Sequence, residues 1–316
     1  MFHHIVPAVM RPLLLATVIA WMVPSGAGAQ QSSAPNAAVT QVRAGVAALG
    51  RQWNEEVEAQ TARLYAGIQR EHPAAGIREI HRASYGAKHW QKLDLYCPDQ
   101  GFDALGPVFV FLHGDAESGG GRVAARTSAA LYANAARSLA RFGGVGINAD
   151  FGQSPKASRP AGVDDVHAVI EWTRQHVAKY GGDPASIIVL GSGEGARHLA
   201  TYLLNPPSQL KDGPGIAGAI LGSGTFYPKD AADGPLKLVD SYRGQAVPIL
   251  MWSADYDPLE SGVAELRDKL CQKYGACPMF VALAGHNHVS PVMSIDSLDV
   301  SVASVIVRFY HTAVRK

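Results

Sequence analysis

Short, unbroken apolar runs recur along this chain, and helix-length amphipathic stretches separate them. The runs are PVFVFL (107–112), GVGINA (144–149), SIIVL (186–190), AGAIL (217–221), PILMW (248–252) and MFVAL (279–283). A continuous apolar run of this length marks a strand buried on both faces. Strands of that kind alternating with helices imply a mostly parallel sheet covered by helices on each side, an α/β fold. Ahead of the first run, REIHRASYG (78–86) and QKLDLYCP (91–98) show period-two patterning and predict a hairpin of strands. Helices are expected at 38–71, 125–142, 164–180, 194–204 and 301–314. The third of these starts at Asp164 and Asp165 and is followed by Gly181, so Asp165 is read as a helix cap. No linker interrupts the alternation after residue 75, which predicts one domain over 76–316, preceded by a linker and N-terminal helix at 30–75.

Residues 1–29 are expected to be a signal peptide. Arg11 precedes an apolar stretch from Leu13 to Val23, and Ala27-Gly28-Ala29 is a cleavage site of small residues followed by Gln30 and Gln31. That stretch falls short of the roughly 20 residues of a membrane span. The expectation is therefore a periplasmic or secreted protein with no membrane partner once the leader is removed. Lys plus Arg is 28 against 27 Asp plus Glu, and like charges form no run. This balance provides no electrostatic footprint for nucleic acid.

Export permits disulfides. Cys271 and Cys277 flank Gly275 between a helix and a strand and are expected to pair, while Cys97, after a strand, is expected to be a packed free thiol. Their spacing matches no zinc site. His286 and His288 form a His-x-His pair with no third ligand evident, so neither a metal nor a cofactor is expected.

In open α/β sheets ligands bind beyond the carboxyl ends of the strands. There the chain places His113-Gly114-Asp115, then Gly191-Ser192-Gly193-Glu194-Gly195, then Asp255-Tyr256-Asp257-Pro258, then His286-Asn287-His288. A loop, an elbow, an acid and a histidine follow in the chain order of an α/β-hydrolase. With these segments, and with YGGDP-x-x-I before the elbow and GARHLATY after it, the chain resembles the α/β-hydrolase superfamily. In particular it resembles bacterial carboxylesterases of the hormone-sensitive-lipase and feruloyl-esterase-like type, over most of residues 84–310.

The resemblance implies an α/β-hydrolase fold, an ester-like small-molecule ligand, Asp257 as the acid and His288 as the base. Asp255 and His286 are the local alternatives. It also exposes departures. The family's elbow reads G-x-S-x-G, and the frame set by Gly191 and Gly195 puts Gly193 in the nucleophile position. Centring the motif on Ser192 would need glycines where Leu190 and Glu194 stand. A carboxylate nucleophile at Glu194 meets the same objection. The oxyanion hole is expected from Gly114, Asp115 and Glu194, but Asp115 replaces a glycine of the family's H-G-G loop, and the glycines fall at 119–121. Trp172, Trp252, Tyr180 and His198 are read as core residues.

Three functions fit this pattern. One is an esterase-like protein that lacks its nucleophile and keeps a ligand pocket. Another is a working carboxylic ester hydrolase that uses a His-activated water or a shifted nucleophile. The third is a lyase-type reaction that uses the His–Asp pair as base.

Overall fold

The computed structural model of the protein describes residues 36–70, 76–114, 129–152, 159–224, 226, 234–244, 246–258, 262–275 and 277–314. The expected leader at 1–29 lies outside the described residues, as do Asp115 and Gly119–Gly121. Eight strands form one sheet: β1 (Ile77–Ser84), β2 (Lys92–Pro98), β3 (Gly106–Leu112), β4 (Val145–Ala149), β5 (Gly182–Ser192), β6 (Gly218–Gly222), β7 (Ile249–Ala254) and β8 (Met279–Leu283). Their order is β1-β2-β4-β3-β5-β6-β7-β8. The β1–β2 and β2–β4 pairs are antiparallel and all the others parallel.

The apolar runs are continuous because each strand feeds two cores. Side chains alternate across a strand, so odd and even positions face opposite layers. Val108, Val110, Ile187, Val189, Ala219, Leu221 and Met251 enter one core. That core is closed by α4 (Arg159–His176), α5 (Glu194–Leu204), α6 (Pro235–Ser241) and α7 (Val263–Tyr274). Phe109, Phe111, Ile188, Leu190, Ile220, Leu250 and Trp252 enter the other. There they meet α3 (Ala129–Arg141), α8 (Ser290–Met293) and α9 (Ser301–Phe309). Trp172 and Tyr180 pack against the first core. Cys97 is a buried free thiol, and Cys271 is bonded to Cys277.

Three local expectations need correction. The helix expected at 38–71 is two helices, α1 (Ala37–Leu49) and α2 (Glu55–Ala66). The chain turns at Gly50, and Asn54 caps α2 by accepting from Val57 N at 2.9 Å. Asp165 caps nothing: α4 begins at Arg159, and Asp165 lies buried inside it. Its carboxylate accepts from Trp90 Nε1 at 2.9 Å, Gln91 Nε2 at 2.7 Å and Gly152 N at 2.7 Å. A buried carboxylate needs such donors, and the β1–β2 loop and the segment after β4 bring them to it. The closing helix is α-helical only to Phe309 and ends in a π-helical turn over Tyr310–Val314.

The α1–α2 hairpin has its own apolar cluster. Val39, Val42, Val46, Ala62, Tyr65 and Ile68 pack with Val289 and Met293, which follow β8. No helix among the described residues is long and apolar enough to cross a membrane.

Candidate active site

β5 ends at Ser192 and α5 begins at Glu194, so a single residue, Gly193, makes the turn between them. It does so at φ +52°, ψ −117°, with its N–H donating to Gly222 O at 3.1 Å. The flanking glycines are required by space. A Cβ on Gly191 would lie 2.5 Å from Gly195 O, and one on Gly195 would lie 2.4 Å from Leu112 O. Strand, turn and helix thus pack too tightly for side chains on either side of the apex. This is the physical reason for the Gly191/Gly195 frame. Ser192 is a strand residue in register with Gly222, buried on the face that Ile188 and Leu190 occupy.

His288 comes to this apex from the loop after β8. A Cβ built on Gly193 would lie 3.1 Å from His288 Nε2 and 3.3 Å from Gly114 Cα. Asp257, in the turn after β7, stands on the far side of the ring, with Oδ1 3.0 Å and Oδ2 3.1 Å from His288 Nδ1. The carboxylate and imidazole are 0% and 1% exposed. With Nδ1–H donating to Asp257, Nε2 is the nitrogen directed at residue 193. Asn287 holds the loop in place: its Oδ1 accepts from Ser290 N at 3.1 Å and its Nδ2 donates to Thr61 Oγ1 at 2.8 Å.

The two alternatives go elsewhere. Asp255 is exposed and accepts from Gly285 N at 3.0 Å. His286 is buried in a separate network, with Nδ1 2.9 Å from Ser290 Oγ and Nε2 3.0 Å from Ser301 Oγ and 3.6 Å from Asp299. Burial pushes its pKa down to about 4, against the pull of Asp299. Burial would raise the Asp299 carboxyl, but the hydrogen bond from Arg43 and the charges of His286 and Arg43 hold it at about 2.

The expected oxyanion loop is only partly in view. Gly114 backs onto the elbow, where a Cβ would lie 3.1 Å from Ser192 O. Asp115 lies outside the described residues. Glu194 turns its carboxylate along its own helix to His198, 3.4 Å away. Burial would raise that carboxyl, yet the hydrogen bond and charge of His198, with Arg197 and His113, hold it below the usual range. Its carboxylate is thus engaged with His198, and its backbone N–H lies in the first turn of α5. His198 is a buried core histidine, edge-on to Phe151 at 5.3 Å between ring centroids.

Sequence reading missed two contributors from the α1–α2 turn. Arg51 Nη2 donates to Asp257 O at 3.1 Å, and the Trp53 ring lies 4.8 Å from the His288 ring. No motif marks them, because they reach the site only through tertiary packing. Among the described residues no group of His, Cys, Asp and Glu is arranged to hold a metal ion. A cleft of about 770 Å³, lined by residues such as His167, Arg174 and Asp212, lies by Pro184 at the other end of β5, remote from this chemistry.

The family model BD-FAE matches residues 93–205. Carboxylesterase NlhH of Mycobacterium tuberculosis is 30% identical over 156 residues, 49% of this chain and 44% of that esterase, so the chain spans less than half the length of this curated relative. Esterase B of Lactobacillus rhamnosis superposes with a TM-score of 0.63 at 14% identity, covering 87% of this chain and 94% of that one. An esterase of Pyrobaculum calidifontis superposes with a TM-score of 0.61 at 16% identity, covering 89% and 100%. The chain thus has the α/β-hydrolase fold, and over part of its length it is similar in sequence to carboxylesterases.

Proposed function

We propose that this is an exported, carboxylesterase-like protein whose ester site keeps its shape but lacks its nucleophile at residue 193. It binds an ester-like small molecule there without forming an acyl-enzyme. The observation that carries this reading is the apex itself. Gly193 holds the turn that a nucleophilic side chain would need, His288 Nε2 stands 3.1 Å from where that side chain's Cβ would be, and Asp257 stands behind the ring. A histidine with a carboxylate behind it, beside a residue 193 that carries no hydroxyl, supports this reading. Where such a triad acts as a unit, loss of the nucleophile costs roughly a millionfold in rate. Esterase B of L. rhamnosis has been solved with an SN3 tributyrin phosphonate inhibitor, which supports a short-chain ester as the ligand class. The leader-like sequence of 1–29 and the Cys271–Cys277 disulfide support export to an oxidising compartment.

A second reading uses the same geometry. In it a water, taking the place of a side chain at residue 193, is activated directly by His288, with Asp257 stabilising the imidazolium. Hydrolysis of p-nitrophenyl butyrate by the native protein, Gly193→Ser and His288→Ala separates the two. An inert native protein and an active, phosphonate-labelled Gly193→Ser support the first. Native turnover abolished in His288→Ala supports the second. An inert Gly193→Ser that also resists labelling overturns the esterase-site reading.

A further inference from the structure

The α1–α2 hairpin is fastened to the segment that carries His288. Arg43 binds Asp299 through two nitrogens at 3.2 and 2.8 Å. Gln69 Nε2 donates to Met293 O at 2.9 Å, and Arg70 Nε donates to Ser297 O at 2.9 Å. Together with Thr61–Asn287 and the apolar cluster around Val289, these contacts fix where the hairpin's turn lies. That turn touches both halves of the pair: Arg51 grips the Asp257 carbonyl, and the Trp53 indole, half-buried, lies against the His288 imidazole with the planes at 51°.

We propose that Trp53 is a positioning residue for His288, setting the plane of the imidazole so that Nε2 addresses residue 193. The inference rests on the esterase-site reading above. A hydrogen bond at Nδ1 fixes one point of the ring but does not by itself set the plane of the imidazole. The indole closes one side of the ring's motion. Catalytic geometry is sensitive on this scale, with a misplacement of about 1 Å costing on the order of a hundredfold in rate.

The test has a kinetic and a spectroscopic arm. In a Gly193→Ser background, Trp53→Ala is expected to lower kcat for p-nitrophenyl butyrate at least about tenfold, within that hundredfold scale, with KM little changed. Trp53→Phe, which returns a flat ring to the same place, is expected to restore most of it. In the otherwise native protein, the downfield proton resonance of His288 Nδ1–H is expected to be sharp, to persist in Trp53→Phe and to broaden by exchange in Trp53→Ala. An unchanged resonance in Trp53→Ala overturns the proposal, and so does an unchanged kcat. If Gly193→Ser neither turns over nor takes the phosphonate label, the esterase reading falls, while the resonance, read without turnover, still decides whether Trp53 positions the ring. Should Trp53→Ala fail to fold, Trp53→Leu, which keeps apolar volume but not the flat face, is read in the same two ways.

Discussion

Replacing Gly193 with serine introduces a hydroxyl, and it should also weaken the fold. The residue sits at φ +52°, ψ −117°, which L side chains rarely adopt. Holding a non-glycine residue in such a region costs about 1–3 kcal/mol. Removing a glycine also narrows the unfolded ensemble, which offsets about 0.4–1 kcal/mol of that. The new Cβ would lie 3.1 Å from His288 Nε2, so the ring must give by a few tenths of an ångström. The net expectation is a loss of about 1–2 kcal/mol. At about 2–4 °C per kcal/mol for a domain of roughly this size, Tm falls by about 2–8 °C. The assay is thermal and urea denaturation of native protein, Gly193→Ser and Gly193→Ala. The alanine variant carries the same backbone strain without the hydroxyl and should lose a similar amount. If both variants are as stable as the native protein, the elbow is not strained and glycine confers no advantage there. The same comparison measures what a nucleophile at this apex costs in stability, a usual trade at functional sites.

Asp165→Ala strips the acceptor from Trp90, Gln91 and Gly152 in a buried site and is expected to destabilise by about 3 kcal/mol, read as a shift in urea midpoint; a change under about 1 kcal/mol contradicts the hub role. Acid should act in two stages. His286 takes up its proton near pH 4 when folded but near its ordinary 6.5 when unfolded, so the unfolded chain binds more protons in between and stability falls as pH drops across that window. The depressed carboxyl of Asp299, at about 2 against an ordinary 3.8, contributes stability that is present above pH 4 and lost as pH falls toward 2. Melting curves against pH should show a flatter upper limb in His286→Gln, and an unchanged slope there counts against this assignment. Reducing the Cys271–Cys277 bond, which spans six residues, is expected to cost about 2 kcal/mol, seen as a lower Tm with reductant and no further drop in a Cys271→Ser, Cys277→Ser double variant.

The layered fold was legible in the sequence because each central strand is buried on both faces and so must be apolar without interruption. PVFVFL and SIIVL announce β3 and β5 for that reason, and the glycines at 191 and 195 announce the elbow because nothing larger fits between Leu112, the turn and α5. Local patterning was weaker at element ends. Helical periodicity ran through Gly50 and hid the break between α1 and α2. Asp165 carried a cap-like signature but lies six residues past the start of α4, and the donors that explain its burial come from residues 90, 91 and 152.

At the site, the residue types and their order along the chain were set by the sequence alone: a glycine where the apex falls, then an acid, then a histidine. The resemblance favours Asp257 over Asp255 and His288 over His286, and the tertiary structure sends the members of each pair to different surroundings. Asp255 and Asp257 are two residues apart, as are His286 and His288, and neither composition nor spacing distinguishes them. The turn after β7 points Asp257 inward and leaves Asp255 in solvent, and the Asn287 clasp sends His288 to the elbow while His286 turns to Ser290 and Ser301. The approach of Trp53 to His288 joins positions 235 residues apart in the chain, and no local signal encodes a contact made only when two separately formed elements pack together.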